Sequence, residues 1–162
     1  MRQIAYNQTM KIVLFEPDIP GNTGNVGRTC VATGSSLHLV GPLGFSIDDR
    51  HVRRSGLDYW DKLARFQYPD WLSFEASLPP KAPLYFFSKW GTQDLWQASF
   101  APDSYLIFGC ETTGLPEYIR ERYADQLYRI PMMEGSVRSL NLSNAVAVAV
   151  YEALRQQRHS LV

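Results

Sequence analysis

MKIVLFEPDIPGNTGNVGRTCVATG, residues 10–34, followed at once by SLHLV, residues 36–40, is the stretch on which the fold turns. Met10 to Phe15 is a run of strand length that is apolar except at Lys11, as expected of a buried strand, and Glu16-Pro17 ends it. The spacing predicts a Gly- and Asn-rich turn over Pro20 to Asn25, then a helix through about Thr33 with Gly34 as its stop. Ser36 to Val40 reads as a second strand, cut off by Gly41-Pro42.

The same alternation continues outward from this unit. Leu84–Ser88, Tyr105–Gly109 and Gln126–Ile130 read as strands, and a short helix near Asp70–Ser77 precedes Pro79-Pro80. Residues 41 to 70 otherwise read as polar and irregular. The final segment, Leu142 to Gln157, alternates at Val146, Val148 and Val150 like a strand. It also follows the 3.6-residue period through Leu142, Ala145, Val146, Ala149, Val150, Ala153 and Leu154. Its length and alanines decide for helix. Its apolar residues cover more than one face, which predicts burial on several sides, including a subunit interface. The expected architecture is α/β, a mainly parallel sheet with helices on both faces, formed by one domain over 10–158. Residues 1–9 are expected to be an extension, Met10 being an alternative start, and 159–162 a tail.

Composition narrows the function. The 162 residues carry 16 Lys+Arg and 16 Asp+Glu, so the net charge is zero. A 45% hydrophobic and 20% charged content is that of an ordinary folded protein and excludes disorder or a coiled coil as the main state. Zero net charge argues against a general nucleic-acid coat but leaves room for a local basic patch. No apolar run approaches the ~20 residues of a membrane helix, and MRQIAYNQTM lacks the apolar core of a signal peptide. A cytoplasmic protein with no membrane partner is expected. Cys30 and Cys110 are too few for a disulfide scaffold and match no zinc spacing, so both read as reduced and structural, with no metal.

Three segments carry candidate chemistry. Gly21-Asn-Thr-Gly-Asn-Val-Gly27-Arg28 lies between strand and helix, where backbone N–H groups favour anions. Its glycines fit neither the dinucleotide pattern, which also needs an acid where Gly41-Pro42 stands, nor the P-loop spacing. Gly24 and Gly27 suit close packing, and Asn22 and Asn25 suit helix caps. Arg28, in a small and apolar neighbourhood, is expected to be at least half-buried and to need an acid or a phosphate. In the second segment, Gly109-Cys-Glu111-Thr-Thr-Gly114, the lone Glu111 stands at a strand's carboxyl end as ion pair, cap or functional acid. In the third, Ser139, Asn141 and Ser143 alternate with leucines, as caps or as the wall of a polar ligand site. Arg50, Arg53 and Arg54, with His51, Lys62, Arg65 and Arg138, form the best basic patch for RNA.

Taken in order, Asn22…Arg28, Gly109-Cys110-Glu111-x-x-Gly114 and Ile130-Pro131…Ser139-Leu140-Asn141-x-Ser143…Tyr151-Glu152 resemble the three motifs of the SPOUT RNA 2′-O-methyltransferases, SpoU branch, over about Met10–Gln157. Glu16-Pro17-x-x-Pro20-x-Asn22-x-Gly24-Asn25 and Arg53-Arg54-Ser55-Gly56-Leu57-Asp58-Tyr59 resemble its short TrmL-type members. The resemblance implies S-adenosylmethionine as methyl donor, a homodimer, and a trefoil knot near the C-terminus. The implied reaction is 2′-O-methylation of C or U at the wobble position of a tRNA anticodon stem-loop, in leucine isoacceptors. It implies Arg28 as the key catalytic residue with Asn22, Glu111, Ser139 and Asn141. The cofactor would lie against Phe87, Gly109, Ile130, Ser139 and Leu140, with Gly91 and Met132 beside them, and Tyr151 would bond across the dimer interface. The same chemistry on ribosomal RNA, a non-catalytic RNA-binding factor, and a dinucleotide-dependent oxidoreductase are the competing readings.

Overall fold

The computed structural model describes residues 10–48, 52 and 59–159. Its strands are β1 (Lys11–Phe15), β2 (Ser36–Val40), β3 (Arg65–Tyr68), β4 (Leu84–Phe87), β5 (Gln93–Asp94), β6 (Tyr105–Phe108) and β7 (Leu127–Arg129). They form one sheet in the order β3-β2-β1-β6-β4-β7-β5, and every pairing is parallel. The helices are α1 (Pro20–Thr33), α2 (Trp71–Ser77), α3 (Glu117–Arg122) and α4 (Leu142–His159).

Side chains alternate across the strands and so serve two cores. Ile12, Leu14, Leu37, Leu39, Tyr85, Phe87, Leu106 and Phe108 face α1 and α4, whose Val26, Cys30, Val146, Ala149, Val150 and Ala153 cover them. Val13, Phe15, Val40, Phe86, Tyr105 and Ile107 face the opposite way, against Trp71 and Phe74 of α2 and Ile119 of α3. Cover on both faces of the sheet's centre explains why β4 and β6 read as unbroken apolar runs and β1 as one broken only by Lys11. On α4, Leu142, Val146, Ala149, Val150, Ala153 and Leu154 are buried within this chain, while Val148 and Tyr151 stay exposed.

The structure corrects several expectations. Pro20 to Asn25 is not a turn but the first part of α1. Pro20 occupies the first helical position, where its preset φ helps and its missing N–H is not needed. Asn22 and Asn25 therefore lie inside the helix and do not cap it; the capping position is Ile19, without a side-chain bond. Residues 41–70 contain β3, an edge strand whose Arg65, Phe66 and Gln67 are exposed, so no apolar run announces it. The six-residue α3 buries only Ile119 and shows no helical period. The expected extension over 1–9, residues 160–162 of the expected tail, and Arg50, His51, Arg53 and Arg54 lie outside the described residues. No helix among the described residues is long and apolar enough to cross a membrane.

His38 is a polar residue in the middle of buried β2. One ring nitrogen faces the Ser36 hydroxyl at 3.0 Å, the other the Tyr68 hydroxyl at 3.1 Å, and the ring stacks on Phe66 at 4.7 Å. Burial, helped by the Lys11 charge, pushes its pKa from 6.5 down to about 4. Between these values the unfolded chain takes a proton that the fold refuses. Stability is therefore whole above pH ~6.5 and falls as pH drops toward 4, by up to roughly 3 kcal/mol. Denaturant unfolding at pH 7 and pH 4 checks this: His38→Gln should show a clearly smaller loss between the two than the parent does.

Candidate active site

After β1 the chain turns to β2 on one side, whereas β6 lies on the other, so the strand order reverses between β1 and β6. That is the position where open α/β sheets leave a crevice for ligands at their carboxyl edge. Here the loops after β1, β6, β4 and β7, with the segment leading into α4, enclose a cavity of about 670 Å³. Ligand pockets span roughly 300–1,000 Å³. Its walls include nine of the residues singled out above: Asn22, Phe87, Gly109, Glu111, Ile130, Arg138, Ser139, Leu140 and Asn141.

Glu111 ties these loops together. Its carboxylate accepts from the backbone N–H groups of Asp18, at 2.8 Å, and Ile19, at 3.2 Å, just ahead of α1. It also accepts from the Asn22 side-chain amide at 3.2 Å. A carboxylate there suits the positive end of the helix dipole. The Asn22 carbonyl accepts from the Asn141 amide at 2.9 Å. The Asn141 carbonyl then accepts from the Ser143 backbone N–H at 2.9 Å and from its hydroxyl at 2.7 Å, which caps α4. Of the three candidate caps, Asn141 is thus the one that serves, and it does so while also bonding Asn22.

Nearby, the Asp18 carboxylate accepts from the Cys110 thiol and the Thr112 hydroxyl, both at 2.8 Å, and these bonds lower its pKa. Ligand-type atoms of Asp18, Cys110 and Glu111 lie within 4.8 Å of one another, each engaged in these loop contacts. At Gly109 a Cβ would meet the Gly114 and Leu115 backbone at 2.2 Å, so only glycine lets this loop fold back on its own strand end. Residues 109–115 line the cavity.

Arg28 is placed otherwise than expected. It is exposed on α1, its guanidinium lies over the Tyr59 ring at 5.2 Å, and it does not line the cavity. The expectation of burial failed because Val26, Gly27 and Cys30 turn inward, whereas Asn25, Arg28 and Ala32 form the outer stripe of α1. Gly27 packs instead on Leu63 and Trp60, 3.1 Å from its would-be Cβ. Tyr151 is 57% exposed and is not a core tyrosine. Met132 also lines the cavity; Gly91 does not. Asp18, Ile19, Lys89 and Trp90 also belong to the site and fall outside the candidates named from sequence. The signal for the last two was a strand ending in Ser-Lys-Trp-Gly, an unusual place for an indole.

A model of the SpoU rRNA methylase family matches residues 9–151. The chain belongs to that family. A tRNA (cytidine(34)-2′-O)-methyltransferase of Polaromonas sp. is 47% identical over 147 residues, covering 90% of this chain and 89% of that one. A solved structure concerned with 2-OH methylation of C/U34 on tRNA superposes with a TM-score of 0.90 at 43% identity, covering 94% of this chain and 98% of that one. The SpoU methyltransferase AviRb of Streptomyces viridochromogenes, solved in complex with the cofactor AdoMet, gives 0.78 at 26% identity. This chain spans 60% of its length and is itself covered to 96%.

The amide relay has a direct test. Asn22→Asp keeps the shape but replaces the donor facing Glu111 by a second carboxylate oxygen. Denaturant unfolding at neutral pH should show a loss of about 1–3 kcal/mol, and an unchanged midpoint would mean that the contact is not made in solution.

Proposed function

We propose that this protein transfers a methyl group from S-adenosylmethionine to the ribose 2′-hydroxyl of the wobble nucleotide, C or U at position 34, of tRNA. The observation that carries the reading is the relay Glu111–Asn22–Asn141, which fixes three loops around one cavity at the strand-order reversal. The Polaromonas relative's name supplies the reaction. Leucine isoacceptors remain the proposed substrates and the anticodon stem-loop the proposed contact. Where tRNA is modified sets the compartment, so we place the protein in the cytoplasm.

The cavity suits a cofactor that is part purine and part zwitterion. Phe87 and Phe108, ring centroids 4.8 Å apart, sit with Ile130 and Leu140 among its apolar walls, and Ser139, Asn141 and Arg138 contribute polar groups. Phe87, Gly109, Ile130, Ser139 and Leu140 would hold it. When bound, it supplies a methyl group on a cationic sulfonium, whose sulfur would leave as a neutral thioether and so requires no general acid. What the protein must add is alignment, worth ~7–11 kcal/mol in well-oriented cases, and a route for the hydroxyl proton. Asn22, Glu111 and Asn141 supply rigidity to the alignment.

Arg28 stands outside its own chain's cavity, so it reaches a reacting ribose only through RNA laid over the outer stripe of α1 or through a second copy of the chain. A homodimer is part of this proposal. Exposed Val148 and Tyr151 on α4 give it an apolar surface. The trefoil knot is carried as a family property; the placement of β7 beside β4 rather than beyond β6 is compatible with it.

The reaction is tested with labelled S-adenosylmethionine and leucine tRNA bearing either a normal or a 2′-deoxy wobble nucleotide. Label should enter the first and spare the second; equal labelling would refute ribose methylation at that position. For Arg28 a conservative variant is the sharper probe. A point charge does not reproduce the planar guanidinium fork, so Arg28→Lys should lose about 100-fold or more in turnover, and near-normal turnover would remove Arg28 from catalysis.

A further inference from the structure

Trp90 combines three features that the reaction described so far does not use. It is 61% exposed, it lines the cavity, and two cations lie beside its ring: Lys89 Nζ at 5.1 Å and the Arg120 guanidinium carbon at 5.6 Å from the centroid. An indole left in water without burying itself in a core contributes little to folding.

The turn that carries it is nevertheless fixed. The Trp90 backbone N–H donates to the Ser88 hydroxyl at 3.2 Å, the Gly91 backbone N–H to the Ser88 carbonyl at 3.0 Å, and the Ser88 backbone N–H to the Tyr128 carbonyl at 2.9 Å. Any Cβ at Gly91 would fall 2.4 Å from the Tyr128 carbonyl carbon, so this turn is pressed against the end of β7. Arg120 is anchored in turn, its Nε donating to the Leu115 carbonyl at 3.1 Å. The indole is thus held on a locked turn at the wall of the cavity, next to one anchored and one flexible cation.

Exposed aromatics flanked by Arg and Lys are how proteins hold single-stranded nucleic acid: a base stacks on the ring and the cations meet phosphates. We infer that Trp90 is a stacking platform for an unpaired base of the RNA at or next to the methylated nucleotide, with Lys89 and Arg120 facing its phosphates. This rests on the RNA-methylating reading above. Stacking on an aromatic outweighs an exposed cation–π contact, so Lys89 is free to leave the ring for a phosphate as the base arrives.

The test uses the full-length protein with S-adenosylhomocysteine and anticodon stem-loops carrying 2-aminopurine at the wobble position or at either neighbour, in separate molecules. Wild-type protein should quench at least one probe. Trp90→Ala should lose the quenching and raise KM for tRNA roughly 5- to 100-fold, with S-adenosylmethionine affinity retained, while Trp90→Phe should recover most of both losses. Wild-type KM and quenching in Trp90→Ala would overturn the inference. So would a variant weakened only toward S-adenosylmethionine, since the indole would then belong to the cofactor. If the wild-type protein methylates no tRNA yet quenches through Trp90, the platform stands and the proposed reaction falls; if it neither methylates nor quenches, both fall.

Discussion

A carboxylate oxygen accepts hydrogen bonds and never donates them, and the polar edge of this sheet takes its direction from that restriction. With Glu111 receiving two backbone N–H groups, the Asn22 amide must point its nitrogen at it. The Asn22 carbonyl is then committed to the Asn141 amide, and the Asn141 carbonyl to the first turn of α4. Each amide has one orientation that pairs donor with acceptor throughout, and reversing any of them sets two like groups face to face. Asn22 is itself buried, so an unpaired group there would be costly. Three loops that are distant in sequence are locked in register by one polar chain.

Much of this was legible because it rests on local rules. The strands at 11–15, 36–40, 84–87 and 105–108 are buried on both faces, and each reads as a mostly apolar run. The period of α4 resolved the competing alternation at Val146, Val148 and Val150. What stayed hidden had no local signature. β3 is an edge strand with exposed side chains, and α3 has one buried residue. The turn expected at Pro20–Asn25 misread proline and glycine as breakers where proline opens a helix and glycine packs inside it.

The site divides along the same line. Asn22, Glu111 and Asn141 were visible as candidate caps, a lone acid at a strand end and residues of the resembled motifs, but their mutual contacts span 89 and 119 positions and follow only from the sheet order. Arg28 illustrates the converse error. A small, apolar sequence neighbourhood suggested burial, yet a helix turns successive residues in different directions, and Arg28 falls on the outer stripe. Neighbourhood in sequence predicts burial only after the helical phase is known, and the phase of α1 depends on where it starts.

That outer placement bears on how a neutral chain handles RNA. Its charges balance, so long-range attraction is weak and contacts must be local. Five of the described basic groups are placed accordingly: Arg28 over Tyr59, Arg65 over Trp60, Lys89 and Arg120 around Trp90, and Arg138 at the cavity, whereas Lys11, Arg122, Arg129 and Arg155 are held in ion pairs with Asp103, Glu75, Asp94 and Glu152. Four of these five pair with an aromatic ring rather than with an acid. A cation parked on a ring keeps its charge available, since a polyanion displaces it at small cost, whereas a cation in an ion pair must first give up its carboxylate. Arg28, Arg65, Lys89 and Arg120 therefore hold their positive charge in a form that RNA phosphates draw on more readily than that of the ion-paired Lys11, Arg122, Arg129 and Arg155.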